Sequence, residues 1–182
     1  MKLLLHICCA PCSVACIKSL REEKIEPHGF WYNPNIHPFT EYRSRRNTLK
    51  EYAEAIGLEL TVEHNYGLRE FVGSVVGNID GRCSYCYDTR LEESARHAAE
   101  NGFDAFSTTL LISPYQNHEL IKAIAEKKAE KYGIEFLYRD FRPLFRQGQT
   151  EAREAGLYMQ KYCGCIFSEE ERYCKKRSVK GQ

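Results

Sequence analysis

The chain begins with a compact run, LLLHI over residues 3–7, in which apolar and polar positions do not alternate. That is the pattern of a strand buried on both faces. Pro11 follows where a helix can begin, and Val14, Ile17 and Leu20 continue at helical spacing to about residue 23. Residues 25–33 carry Phe30, Trp31 and Tyr32 between Pro27 and Pro34 and read as a second strand. Leu49, Tyr52, Ala53 and Ile56 share one face of a helix predicted over 40–56, stopped by Gly57. Leu58, Leu60 and Val62 alternate as a third strand. The stretch 66–81, broken by Gly67, Gly73, Gly77 and Gly81, predicts no clear element.

Beyond it the pattern predicts a helix over 84–101, a strand over 103–111, an amphipathic helix over 117–132 closed by Gly133, and a strand over 134–139. Residues 143–162 read as helical, interrupted by Gly148 and Gly156, and the charged residues 175–182 as a flexible tail. No repeat or linker divides the chain, so a single domain over 1–182 is expected. Strand and helix alternate, which predicts an α/β fold with a mostly parallel sheet flanked by helices. Such sheets bind ligands beyond the carboxyl ends of their strands. Cys8 and Cys9 stand directly after the first strand, at that edge.

Composition sharpens the picture at one residue type. Nine of the 182 residues are cysteine. A chain of this length buries a core without covalent staples, and an odd count does not pair completely. No run approaches the ~18 apolar residues of a membrane span, and residues 3–7 are too short for the core of a secretion signal. A cytoplasmic protein without membrane attachment is therefore expected, and in that compartment clustered cysteines favour metal binding or redox catalysis. Lys plus Arg is 26 and Asp plus Glu is 25, a formal charge of +1, so any nucleic-acid contact has to come from a local basic patch.

Seven cysteines fall into three motifs: Cys8, Cys9 and Cys12 in CCAPC, Cys83 and Cys86 in CSYC, and Cys163 and Cys165 in CGC. The CxxC offers two thiolates from a turn to one metal or cluster. Side chains of adjacent cysteines are expected to diverge, too far for one tetrahedral ion but suited to two irons of a cluster. Cys8 and Cys9 with Cys83 and Cys86 then complete a four-thiolate set. Cys12, already at a helix N-terminus, is expected to have a lowered pKa and to serve as ligand to a second metal or as proton donor. Cys163 and Cys165, one glycine apart, can close a strained, redox-active disulfide. Core packing suffices for Cys16 and Cys174. Structural zinc explains the same motifs without redox chemistry.

Other candidates are less specific. Asp88 in CYDTR ligates iron, takes a proton or caps a helix, and Tyr85 and Tyr87 donate a proton, stack on a base or pack in the core. His6 reads as a core residue. Asn33, Asn35 and His37 in YNPNIHP, and Thr108, Thr109, Ser113, Tyr115, Gln116, Asn117 and His118 in STTLLISPYQNH, follow strands at the ligand edge. Arg43, Arg45 and Arg46 beside Tyr42, and Arg139, Arg142 and Arg146 around Phe141 and Phe145, suit phosphate contact with base stacking, or form solvated faces. Lys175, Lys176, Arg177 and Lys180 offer nonspecific RNA contact.

LHICCAPCS, FWYNPNIHPFTEY, RCSYCYDTRL, FSTTLLISPYQNH and LYMQKYCGCIFSE together resemble the QueH-type epoxyqueuosine reductase family over about residues 3–172. The resemblance implies reduction of epoxyqueuosine to queuosine at the wobble position of tRNA, the last step in making that nucleoside. It implies an adenine-nucleotide α-hydrolase-like (Rossmann-like) fold, a 4Fe–4S cluster and no cobalamin. Cys8, Cys9, Cys83 and Cys86 match the cluster ligands, and Cys163 and Cys165 match a redox-active pair. Nucleotide-using proteins of this fold carry a glycine-rich loop after the first strand. CCAPCS has no glycine there, so ATP is not expected to bind, which also counts against a tRNA thiolation enzyme. Cys12, Asp88 and Tyr87 are the protonation candidates, and the surplus of cysteines leaves room for a mononuclear iron beside the cluster, a Lewis acid for the leaving oxygen. The electron donor is not identified. The rival reading is a zinc-stabilised RNA-binding module.

Overall fold

The computed structural model describes residues 1–174, so the tail expected over 175–182, with its four basic residues, lies outside the described residues. The chain runs β1 (Leu3–His6), α1 (Ala10–Glu22), β2 (Pro27–Trp31), α2 (Phe39–Ala55), β3 (Leu60–Val62), α3 (Leu68–Val75), α4 (Arg82–Glu100), β4 (Ala105–Thr108), α5 (His118–Tyr132), β5 (Glu135–Phe136), α6 (Phe145–Glu154) and α7 (Ile166–Tyr173). Single 3-10 turns precede α4 and α6 and follow β4. The five strands form one parallel sheet in the order β3-β2-β1-β4-β5. The α/β architecture expected from the alternation is present.

The order explains the sequence. β1 is central, hydrogen-bonded to β2 on one side and β4 on the other, and Leu3, Leu4, Leu5 and Ile7 are all buried. A strand covered on both faces has no polar alternation. The chain leaves β1 toward β2 and later returns to pair β4 on the opposite side. The carboxyl ends of β1 and β4 are therefore the switch point where such sheets open a ligand crevice.

Local chemistry sets the boundaries. Pro11 occupies the first turn of α1, where its missing N–H costs nothing. Asn117 caps α5 by accepting from Leu120 N at 3.1 Å, and Gly133 ends it with φ 64°. β4 ends at Thr108, earlier than the predicted 111. Thr108 Oγ1 accepts from Leu110 N at 3.1 Å and turns the backbone into a 3-10 turn over Thr109–Ile112. The glycine-broken stretch holds α3 and a 3-10 turn, and α4 begins at Arg82, so Cys83 and Cys86 lie on its first turns rather than in a loop. β5 keeps only two residues of the strand predicted over 134–139, and α6 is shorter than the pattern over 143–162. A Cβ on Gly148 of α6 would stand 3.0 Å from Ala15 Cβ of α1, so glycine lets these helices approach closely beneath the site.

Candidate active site

Cys8, Cys9 and Cys12 surround the β1–α1 turn at the switch point. Cys9 is the N-cap of α1 with extended backbone, which aims its side chain back beside Cys8. Their Sγ atoms are 3.8 Å apart, and the three sulfurs all lie within 4.8 Å of one another. The expectation that neighbouring thiols diverge is thus wrong here. A tetrahedron with metal–sulfur bonds of ~2.3 Å has edges of ~3.8 Å, so this trio can face one ion. Among the described residues no other trio of thiol, imidazole or carboxylate ligand atoms is gathered as closely.

Charge within the trio settles on Cys8. Hydrogen bonds from Cys12 and Cys9 pull its thiol well below the ordinary value against the cost of burial, and Arg90 and Thr109 assist. Thr109, the first residue of the turn after β4, accepts from Cys8 N at 3.1 Å and donates to its Sγ at 3.3 Å. Cys12 is pushed up, first by its bond to the Cys8 thiolate, then by its bond to Cys9 and by burial. Cys9 is pushed up by burial. The lowered pKa expected for Cys12 is therefore overturned: the neighbouring anion outweighs the helix terminus.

The other four motif cysteines gather on the α3/α4 side. Cys86 and Cys165 are buried with Phe71 and Val75 of α3, while Cys83 and Cys163 are exposed. Burial pushes Cys86 up to about 12 against the pull of Arg90; burial and then Cys163 push Cys83 up. Cys163 and Cys165 are free thiols. Their segment is tied down through its backbone. His37 N donates to Gly164 O at 2.8 Å, and Arg45 donates to Cys163 O at 2.8 Å and Tyr162 O at 2.9 Å. Gly164 has φ 150°, and a Cβ there would meet Ile36, Arg45 and Asn35 within 3.6 Å. Glycine is required between these cysteines.

Two buried arginines face the thiols. Arg90 of α4 donates to Asn33 Oδ1 at 2.7 Å, to His6 Nε2 at 3.4 Å and to Cys86 Sγ at 3.7 Å. Burial lowers its pKa, yet Cys86 and Cys8 outweigh burial and raise it. Among the described residues it has no carboxylate partner. Arg45 of α2 pairs with Glu41 at 2.6 Å, and the charges of Cys9 and Glu41 outweigh its burial. Sequence reading treated Arg45 as part of a surface cluster and gave Arg90 no role. Its signal was the spacing Cys86–Arg90, one helical turn on one face.

Other candidates separate clearly. Asp88 is half-exposed and pairs with Lys128 of α5 at 2.6 Å. It lies in the second turn of α4, so it does not cap the helix, and it does not line the thiol cleft. Its assignment as ligand or proton donor is corrected on both counts. Tyr87 is buried and donates to Gln116 Oε1 at 2.5 Å, while Gln116 Nε2 donates to Cys163 Sγ at 3.3 Å. Burial pushes the Tyr87 phenol up. His6 is a satisfied core residue as expected, bonded to Thr108 Oγ1 at 2.8 Å, and burial lowers it to about 3. His118 is buried against Leu111 O at 2.8 Å. Arg139 and Arg142 are taken up by Glu23 and Asp140.

A cleft of about 840 Å³ opens above the trio. Cys8, Cys9, Cys12, Arg45 and Arg90 line its inner wall together with Cys163. Arg146, Arg153, Lys161 and Arg172 also line it, and among the described residues no carboxylate does.

A parallel α/β sheet with a thiol-lined, positively charged crevice at its switch point defines a Rossmann-like domain with a candidate site built on cysteine sulfur. Comparison with known proteins agrees. The family model described as "Epoxyqueuosine reductase QueH" matches residues 3–171, and the chain belongs to that family of oxidoreductases. A relative of that name from Dehalococcoides mccartyi is 41% identical over 177 residues, covering 97% of each chain. Another from Thermotoga maritima is 36% identical over 189 residues, covering 97% of this chain and 94% of its own. Among solved structures, the U34-tRNA thiolase NcsA from Methanococcus maripaludis, with its [4Fe-4S] cluster, superposes with TM-score 0.61 at 15% identity, over 92% of this chain and 61% of its own. A "predicted subunit of tRNA methyltransferase" from Methanocaldococcus jannaschii gives TM-score 0.56 at 15% identity, over 84% and 75%. These likenesses establish the adenine-nucleotide α-hydrolase-like fold.

Proposed function

We propose that this chain reduces epoxyqueuosine to queuosine at the wobble position of tRNA, using an iron–sulfur cluster held by its motif cysteines. The reaction breaks both C–O bonds of the epoxide, consumes two electrons and two protons, and leaves an alkene and water. The observation that carries the metal reading is Arg90. A fully buried guanidinium without a carboxylate needs another anion, and thiolates bound to metal supply it. The donor set of soft sulfurs suits iron–sulfur or zinc.

Cys8 and Cys9 with Cys83 and Cys86 hold the cluster in this reading, and Cys12 adds a third sulfur for a second, mononuclear iron beside Cys8 and Cys9. Bound there, cluster and iron supply single-electron transfer and a Lewis acid for oxygen. The residues of the chain do the rest. Arg45 and Arg90 compensate thiolate charge. Tyr87, behind Gln116, serves as proton donor where Cys12 holds the iron, and Cys12, which lines the cleft, takes that role only where no iron binds it. Cys163 and Cys165 pass the electron pair as dithiol and disulfide, fed by a reductant not yet identified. The four basic side chains around the cleft attract the RNA backbone.

The three thiols occupy the turn where this fold otherwise cradles phosphate, which supports a reaction without ATP. In this reading the reaction also needs no cobalamin and runs in the cytoplasm. The 3.8 Å Cys8–Cys9 spacing favours one second reading, a zinc-stabilised RNA-binding module. The deciding experiment incubates anaerobically purified protein with epoxyqueuosine-containing tRNA and dithionite, followed by nucleoside mass analysis. Conversion by a brown, iron- and sulfide-containing protein supports the reductase. Stoichiometric zinc without conversion supports the alternative.

A further inference from the structure

We propose that Tyr115, Phe145 and Arg146 form an RNA-docking shelf at the cleft mouth. It stacks the unpaired base adjacent to the nucleoside being reduced and holds the connecting phosphate. The proposal rests on the tRNA reading above and names where that RNA lies. Tyr115 is 85% exposed, the most exposed large hydrophobic side chain among the described residues. It is not a stray: Ser113 Oγ accepts from Tyr115 N at 3.3 Å, and Gln116 N donates to Ser113 O at 3.3 Å, so a turn presents it. Phe145 buttresses the ring edge-to-face at 5.9 Å and 83°, which orients Tyr115 while leaving ring surface free.

The next residue on the turn, Gln116, reaches inward to Cys163 and Tyr87. One turn therefore aims an aromatic outward and an amide at the thiols. Arg146 follows Phe145 directly on α6. Like Arg153, Lys161 and Arg172 around the same cleft, it has no ion pair among the described residues. An exposed aromatic beside these cations, with no carboxylate in the lining among the described residues, matches the two chemical faces of single-stranded RNA. A duplex offers the phosphates but keeps its bases stacked.

The test measures fluorescence anisotropy of the anaerobic holoprotein with a labelled anticodon stem-loop RNA and with a blunt RNA duplex of equal phosphate count. Tyr115→Ala is expected to weaken stem-loop binding by about tenfold and leave duplex binding unchanged, while Tyr115→Phe keeps stem-loop affinity. Arg146→Met is expected to flatten the dependence of log affinity on log salt by about 0.7, and Tyr115→Ala is not. With epoxyqueuosine as substrate, Tyr115→Ala should raise KM for the tRNA and not for the free nucleoside. Wild-type affinity in Tyr115→Ala, or equal loss on stem-loop and duplex, overturns the shelf. If wild-type protein converts neither substrate, the reductase reading fails, and the binding data still decide the shelf.

Discussion

The Nη1 of Arg90 lies 3.7 Å from the Sγ of Cys86, one turn earlier on α4, and the same guanidinium lowers the Cys8 thiol across the site. One buried cation thus serves both groups of cysteines. Two further donors reach His6 and Asn33, and Asn33 in turn donates to Ile7 O at 2.9 Å, so β1, β2 and α4 are fixed around it. Arg90→Met keeps the volume and removes the charge. It should lower the reduction potential of the bound cluster, because a more negative surrounding opposes added electrons. It should also cost about 3 kcal/mol of folding stability, since Asn33 Oδ1 loses its donor and the thiolates lose their counter-charge. Redox titration by electron paramagnetic resonance and urea unfolding check the two effects. An unchanged potential in an iron-loaded variant would remove Arg90 from the electrostatic account.

The ligand assignment predicts a graded series. Cys8→Ser, Cys9→Ser, Cys83→Ser and Cys86→Ser should each purify with most of the cluster iron and sulfide missing. Cys12→Ser should retain cluster sulfide and lose only the additional iron. Cys16 is buried and donates to Cys12 O at 3.3 Å, so Cys16→Ala should keep all metal and lose roughly 1–2 kcal/mol of stability. Iron and acid-labile sulfide counts per chain read the series. Loss of cluster sulfide in Cys12→Ser would shift the ligand set onto the trio.

The sequence exposed the fold where one force dominates. The unalternating apolar run of β1, the glycine after α5 and the proline of α1 each carried their element. It exposed the site's sulfurs for the same reason, since clustered cysteines have few other uses. It concealed whatever depends on backbone geometry or on long-range contact rather than on apolar period. Thr108 ends β4 through its own side chain, and the 3-10 turn that follows has no apolar period to read. The convergence of Cys8 and Cys9 comes from the backbone of the N-cap. The placement of Asp88 depends on Lys128, forty residues away in sequence. Arg45 and Arg90 look like surface residues until the fold buries them.

Cys163 and Cys165 separate two roles. As a dithiol that delivers an electron pair, Cys163→Ser should retain cluster iron and lose more than about 90% of turnover. Cys163 and Cys165 lie beside Cys83 and Cys86, so a ligand role is the competing possibility, and loss of cluster iron in Cys163→Ser would establish it. Gly164→Ala gives a second handle. A Cβ there meets Ile36 at 3.3 Å and Arg45 at 3.4 Å in a backbone conformation that alanine resists, so turnover should fall with both thiols present. Thiol titration of the reduced variant should still count nine cysteines.

Acid should loosen this same segment through His37. Its Nε2 donates to Pro34 O at 3.0 Å and its Nδ1 accepts from Ile166 N at 3.3 Å, an arrangement that only neutral imidazole satisfies. Burial lowers its pKa from 6.5 to about 4, against the backbone bond to Pro34. The folded value is depressed, so between the two values the unfolded chain binds more protons and folding stability falls with falling pH. The contribution is fully present above pH 6.5 and is lost as pH drops toward 4. Urea midpoints measured across that window should decline, and His37→Gln, which cannot titrate, should flatten the decline while lowering stability at pH 7. A wild-type slope in His37→Gln would place the acid sensitivity elsewhere.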